Sequence, residues 1–116
     1  MICFDLKAGV GSSSRRVTVA GKPFTVGVLL QSNFGKREQL TVLGQAIGKR
    51  VERALPKSHR EGSCLAVLAT DAPLSPLGLK RLATRMGLGL ARTGSHAHHG
   101  SGEIFLAFST AKASVP

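Results

Sequence analysis

The chain has 116 residues, 42% of them apolar, which is enough for one domain with a buried core and argues against disorder. Its net charge of +10 comes from 16 Lys plus Arg against 6 Asp plus Glu, an excess that invites a nucleic-acid reading. The basic residues are dispersed over Arg15 to Lys22, Lys36 to Arg60 and Lys80 to Arg92, with no interleaved aromatic platform and no zinc-finger or RNP-type motif, so no specific nucleic-acid partner is expected.

"MICFDL" reads as a first strand and "KAGVGSSSRR" as a Gly/Ser turn region. A hairpin follows: a short strand Arg16 to Val19, a turn at Gly21 to Pro23, then a long strand Phe24 to Leu30 whose apolar run predicts burial on both faces. In "LTVLGQAIGKRV", Leu40, Val42 and Ile47 are interrupted by Gly44 and Gly48, which favours short strands over a helix. "ALPKSHREG" reads as a loop. Cys64 to Ala69 is a buried strand. Ser75 can then cap a helix with Pro76 at its first position. Leu79, Leu82, Ala83, Met86 and Leu90 form its apolar stripe, with Lys80, Arg81 and Arg85 outside it, and Gly94 ends the helical region. "SHAHHGSG" is a loop and "EIFLAFST" a last buried strand. Apolar strands with one amphipathic helix make an α+β layered domain. One helix cannot cover both faces of such a sheet, so the chain reads as an incomplete part of a larger domain or as a member of an obligate assembly. No apolar run approaches the ~20 residues of a membrane helix and no signal peptide is visible, so no membrane partner is expected. Cys3 and Cys64 stand far apart beside apolar residues, which fits reduced, packed thiols and a cytoplasmic protein, with the periplasm left open.

Of four Gly-Ser pairs, only Gly62-Ser63 leads directly into a buried strand. Glycine there permits close approach to its carbonyl, and a strand would hold Ser63 rigidly at a sheet end. Such a pair alone is equally the end of a loop. Ser101 and Glu103 lie two apart at the head of another strand, so both side chains can share a face, as a proton-handling pair or as ordinary strand-end polarity. His96, His98 and His99 match no zinc spacing; a solvated loop dispensable for catalysis is the expected reading, with no metal. The glycines at 9 and 11 are too few for a nucleotide fingerprint.

"VLATDAPLSPLGLKRLATRMGLGLARTGS" followed by "GSGEIFLAFST" resembles the self-processing aminopeptidases of peptidase family S58, the L-aminopeptidase/D-esterase and β-aminopeptidyl enzymes. "MICFDLKAGVGSSSRR" and "FTVGVLLQSNFGKREQL" are similar to that family in the same order. The resemblance implies part of a four-layer αββα sandwich like that of N-terminal-nucleophile hydrolases. It implies a cut between Gly62 and Ser63, residues 1–62 ending one chain and residues 63–116 starting the other. Ser63 would be the nucleophile, Ser101 and Glu103 would position and activate it, and Asn33 would stabilise the oxyanion. The implied substrates are amides or esters of short peptides with a free amino end, handled through an acyl enzyme without metal or organic cofactor by a homo-oligomer. The family's long N-terminal segment, with its aromatic oxyanion partner, has no counterpart here, the loop "HAHHG" is unusually rich in imidazole, and "KRVERALPKSHREG" matches no family pattern. The alternative is a non-catalytic remnant of the same fold, or a basic binding domain.

Overall fold

A computed structural model describes residues 1–51 and 62–112. Its centre is a four-stranded sheet in the order β3 (Val10–Val19), β4 (Lys22–Asn33), β5 (Ser63–Thr70), β6 (Gly102–Ser109). Two short strands, β1 (Ile2–Cys3) and β2 (Leu6–Lys7), form a separate antiparallel hairpin at the start.

The hairpin of β3 (Val10–Val19) and β4 (Lys22–Asn33) turns at Ala20 and Gly21, whose φ angles of 48° and 76° suit the right-handed twist of the flanking strands. β3 begins six residues earlier than expected, because ten consecutive pairs, Val10↔Gln31 to Val19↔Lys22, draw the Gly/Ser stretch into the ladder. Backbone pairing overrides the turn preference of Gly and Ser. β5 (Ser63–Thr70) runs antiparallel to β4, and β6 (Gly102–Ser109) runs parallel to β5. A parallel pair needs a crossover, and α2 (Pro76–Arg92) supplies it. Ser75 caps that helix, its Oγ accepting from Gly78 N at 3.2 Å, with Pro76 at the first position as expected.

The stretch Leu40 to Val51 corrects the expectation of short strands. Val42 and Gln45 make one isolated bridge, and a short helix α1 (Ile47–Val51) follows. Gly48 stands in that helix because it packs on a 3-10 turn, Arg37–Gln39: a Cβ there would fall 1.8 Å from the Arg37 carbonyl oxygen. The loop expected over Ala54 to Gly62 lies outside the described residues, apart from Gly62.

α2 covers one face of the sheet. Cys64, Ala66 and Leu68 of β5 are buried beneath it, and Leu79, Leu82, Ala83, Met86 and Leu90 turn inward. The core gathers at one end, where Phe4, Phe34, Cys64 and Leu90 pack with Cys3, Leu30, Leu40 and Phe105. The opposite face is bare. Leu65, Ile104, Leu106 and Phe108 are 42%, 64%, 58% and 44% exposed. β4, β5 and β6 are therefore not buried on both faces within this chain, and their apolar runs supply a second surface that this chain leaves uncovered.

Candidate active site

Strand register brings the sequence candidates to one end of the sheet. Asn33, the last residue of β4, is the Cα partner of Ser63, the first of β5, and Ser63 is the partner of Gly102, the first of β6. The three form a row across neighbouring strands on the bare face. The absence of a side chain at Gly102 leaves room for Ser63: a Cβ on Gly102 would lie 3.4 Å from Ser63 Oγ.

Gly62 is pressed against β4. A Cβ at this position would stand 1.9 Å from the Asn33 carbonyl oxygen and 3.1 Å from Phe34 Cα, so only glycine fits. Its carbonyl oxygen accepts a hydrogen bond of 3.3 Å from Gly102 N. The Asn33 side chain is oriented from the other side. Its Oδ1 accepts from Ile2 N at 3.0 Å. A backbone N–H can only donate, so the amide oxygen must face Ile2, and the NH₂ group is left to donate elsewhere.

Ser101 and Glu103 share a face as their spacing predicts, and Ser101 Oγ donates to Glu103 Oε1 at 2.5 Å. That face is the helix side. Glu103 lines a small cavity of about 270 Å³ with Gly87, Leu90, His96 and Phe105, while Ser63 lies on the bare side. The pair flanks Ser63 through Gly102, and among the described residues no hydrogen bond joins it to Ser63.

Cys64, directly after Ser63, is 1% exposed. Burial pushes its thiol up to about 11, and the nearby charges of Glu103 and Cys3 push it the same way. Burial likewise raises Cys3. Burial thus favours the neutral thiol at both positions, which makes each a weaker nucleophile than an exposed cysteine. Among the described residues no group of three or more His, Cys, Asp or Glu is arranged to hold a metal ion. The histidine loop is not merely solvated, however: His96 and His98 both bond to Gln39. Nothing in the sequence marked Gln39, a polar residue in a charged stretch, or the Ile2 amide, since both act through contacts made 31 or more residues away.

Residues 1–116 match the model of peptidase family S58. The chain belongs to this family. The β-peptidyl aminopeptidase BapA of Sphingosinicella microcystinivorans is 44% identical over 99% of this chain and 33% of its own. The crystal structure of the PH0078 protein from Pyrococcus horikoshii is similar with a TM-score of 0.90 and 47% identity, covering 96% of this chain and 30% of that one. The L-aminopeptidase D-Ala-esterase/amidase of Ochrobactrum anthropi, described as a prototype for the serine aminopeptidases and a new variant of the Ntn-hydrolase fold, follows with a TM-score of 0.88 and 45% identity, covering 96% of this chain and 30% of that one. The chain thus spans about a third of the length of these relatives. Its sheet and helices are part of the Ntn-hydrolase fold described for the Ochrobactrum aminopeptidase, and the bare sheet face suits a layer that packs on another.

Proposed function

We propose that this chain carries the self-processing bond and part of the catalytic centre of a serine N-terminal-nucleophile aminopeptidase. The observation that carries the reading is the row Asn33–Ser63–Gly102, with Gly62 wedged against β4 and the bonded Ser101–Glu103 pair beside it. In processing, Ser63 Oγ attacks the Gly62 carbonyl carbon. The C–O bond forms, the C–N bond to Ser63 breaks, and the hydroxyl proton passes to the leaving nitrogen. Water then hydrolyses the ester, leaving a Gly62 carboxylate and a free Ser63 amine. Gly102 N–H already contacts the carbonyl oxygen on which negative charge develops.

In turnover the freed amine, whose reference pKa is about 7.7–8.0, serves as base for its own hydroxyl near neutral pH. Ser63 attacks the acyl carbon of a short peptide amide or ester with a free amino end, the leaving amine or alcohol takes up the proton, and water releases the acid. The Asn33 NH₂ group stabilises the oxyanion, an effect commonly worth about 3–4 kcal/mol per donor. Ser101 and Glu103, one residue to either side of the Gly102 that pairs with Ser63, face the helix side and, among the described residues, make no bond to Ser63. In the proposed reaction they position Ser63 and handle its proton once the pair turns to it. The test uses the full-length polypeptide that carries this segment. N-terminal sequencing and intact mass should find a fragment beginning at Ser63, and Ser63→Ala should abolish both the cut and turnover. A cut before Ser12, or full activity from an uncut Ser63→Ala protein, overturns the reading.

A further inference from the structure

The loop that delivers Ser101 is tied to a distant part of the chain by one side chain. Gln39 Nε2 lies 3.3 Å from His96 Nδ1, and Gln39 Oε1 lies 3.1 Å from His98 Nε2. The carbonyl of His98 in turn accepts from Ser101 N at 2.8 Å. Ala97, between the two imidazoles, has φ 46°. A left-handed residue between them, which a non-glycine adopts rarely, lets two nearby side chains converge on one partner. The backbone of the Gln39 turn is locked to the same loop. Thr41 N donates to Thr93 O at 2.8 Å, and Gly94, at φ 102°, approaches so closely that a Cβ would fall 1.7 Å from the Gln39 carbonyl oxygen.

We propose that Gln39, His96 and His98 form a clamp that holds the turn carrying Ser101, and that the three are positioning residues for the Ser101–Glu103 pair. The functional part rests on the reading above that this pair serves Ser63. An amide offers one acceptor atom and one donor atom, while an imidazolium only donates. Whichever way the Gln39 amide is turned, at least one ring must be neutral for both bonds to persist. The clamp therefore accepts one proton and opens on the second. The rings stand 5.8 Å apart, so two positive charges would also repel. The other ionisable groups on the elements packed here are Lys36, Arg37 and Glu38 at the turn, Lys49 and Arg50 of α1 which packs on it, Arg92 at the near end of α2, His99 of the loop itself and Glu103 of β6. Glu103 lines the same small cavity as His96.

The clamp is tested by amide hydrogen exchange at Ser101 and by ¹⁵N NMR of the imidazoles, between pH 5 and 8, in the full-length polypeptide that carries this segment. In the wild type, Ser101 protection should hold while at least one of the two rings is neutral and fall at least tenfold once both are protonated. Gln39→Leu should lose it at every pH. Gln39→Glu, whose carboxylate accepts from two imidazolium rings, should keep protection at the acid end where the wild type loses it. A space-filling role for Gln39 would not shift the pH profile in this way. Equal exchange in the wild type and Gln39→Leu, or a Gln39→Glu profile identical to the wild type, overturns the clamp. Turnover separates the two claims. Gln39→Leu should lower kcat about tenfold with KM little changed, and Ser101→Ala should lower it further. Unchanged turnover in Ser101→Ala sinks the catalytic role of the pair even if the exchange result stands, whereas unchanged exchange sinks the clamp even if Ser101→Ala is inactive.

Discussion

Gly62 is glycine for a reason that reaches beyond access to its carbonyl. A methyl group there would overlap the Asn33 carbonyl oxygen, so either residue 62 or the end of β4 would have to move. Both carry parts of the proposed reaction, and misplacement of about 1 Å can cost on the order of a hundredfold in rate. Gly62→Ala should therefore slow processing about 100-fold or more in the full-length polypeptide, followed by intact mass against time. Gly11→Ala, where a Cβ would meet nothing within 4 Å, should process normally. Equal rates for the two would show that the contact is not limiting. Cys64 gives a prediction in pH. Its thiol is raised from 9.0 to about 11, so the fold favours the neutral form. That contribution is fully present below pH 9 and is lost as pH rises through 11. Urea denaturation against pH should show an alkaline decline that is smaller in Cys64→Ala, where only the raised Cys3 thiol remains. Parallel curves for the two proteins would contradict it.

Among the elements, α2 was legible because three independent local signals agree: a capping serine, a proline at the first position and an apolar stripe at helical spacing. Its cap is testable. Ser75→Ala should cost about 1 kcal/mol, read as a lower denaturation midpoint, because Gly78 N loses its acceptor. No change would mean that water replaces the cap. Ser63, Ser101 and Glu103 stand out because each lies at the head of an apolar strand, but a loop end and strand-end polarity explain those positions equally well. Only the family resemblance assigns them roles. What the spacing does predict is the shared face on which Ser101 and Glu103 bond. β3 was not legible in full. Gly11 and Ser12 to Ser14 prefer turns locally, and only the ten-pair ladder with β4 makes them a strand. α1 was missed because Gly48 weakens a helix locally, while the contact that requires glycine there lies on Arg37, eleven positions back. The apolar runs of β4, β5 and β6 do call for burial on two faces. The chain supplies cover for one.

At the scale of the whole molecule, that bare face decides how the chain behaves alone. The structure is elongated, 57 × 27 × 19 Å, with α2 on one side of the sheet and Leu29, Leu65, Ile104, Leu106 and Phe108 open on the other. A contiguous apolar surface of this kind marks an interaction face, and in the Ntn-hydrolase fold a second sheet packs against the first. The 116-residue chain alone should therefore bind a hydrophobic dye and self-associate, as read by fluorescence and sedimentation. Substituting Ile104→Asp and Leu106→Asp together gives effects of opposite sign in two contexts. In the isolated chain both side chains are more than half exposed, so two carboxylates cost little there, and dye binding and association should fall while helix content is kept. In the full-length polypeptide the same positions should be covered, and burying unpaired carboxylates should cost several kcal/mol, seen as a large drop in the denaturation midpoint or as loss of soluble protein. A monomeric, cooperatively unfolding isolated chain with no dye binding would contradict the first half. A full-length double variant as stable as its parent would show that this face stays in water, and that the sheet of this chain is not an inner layer of a sandwich.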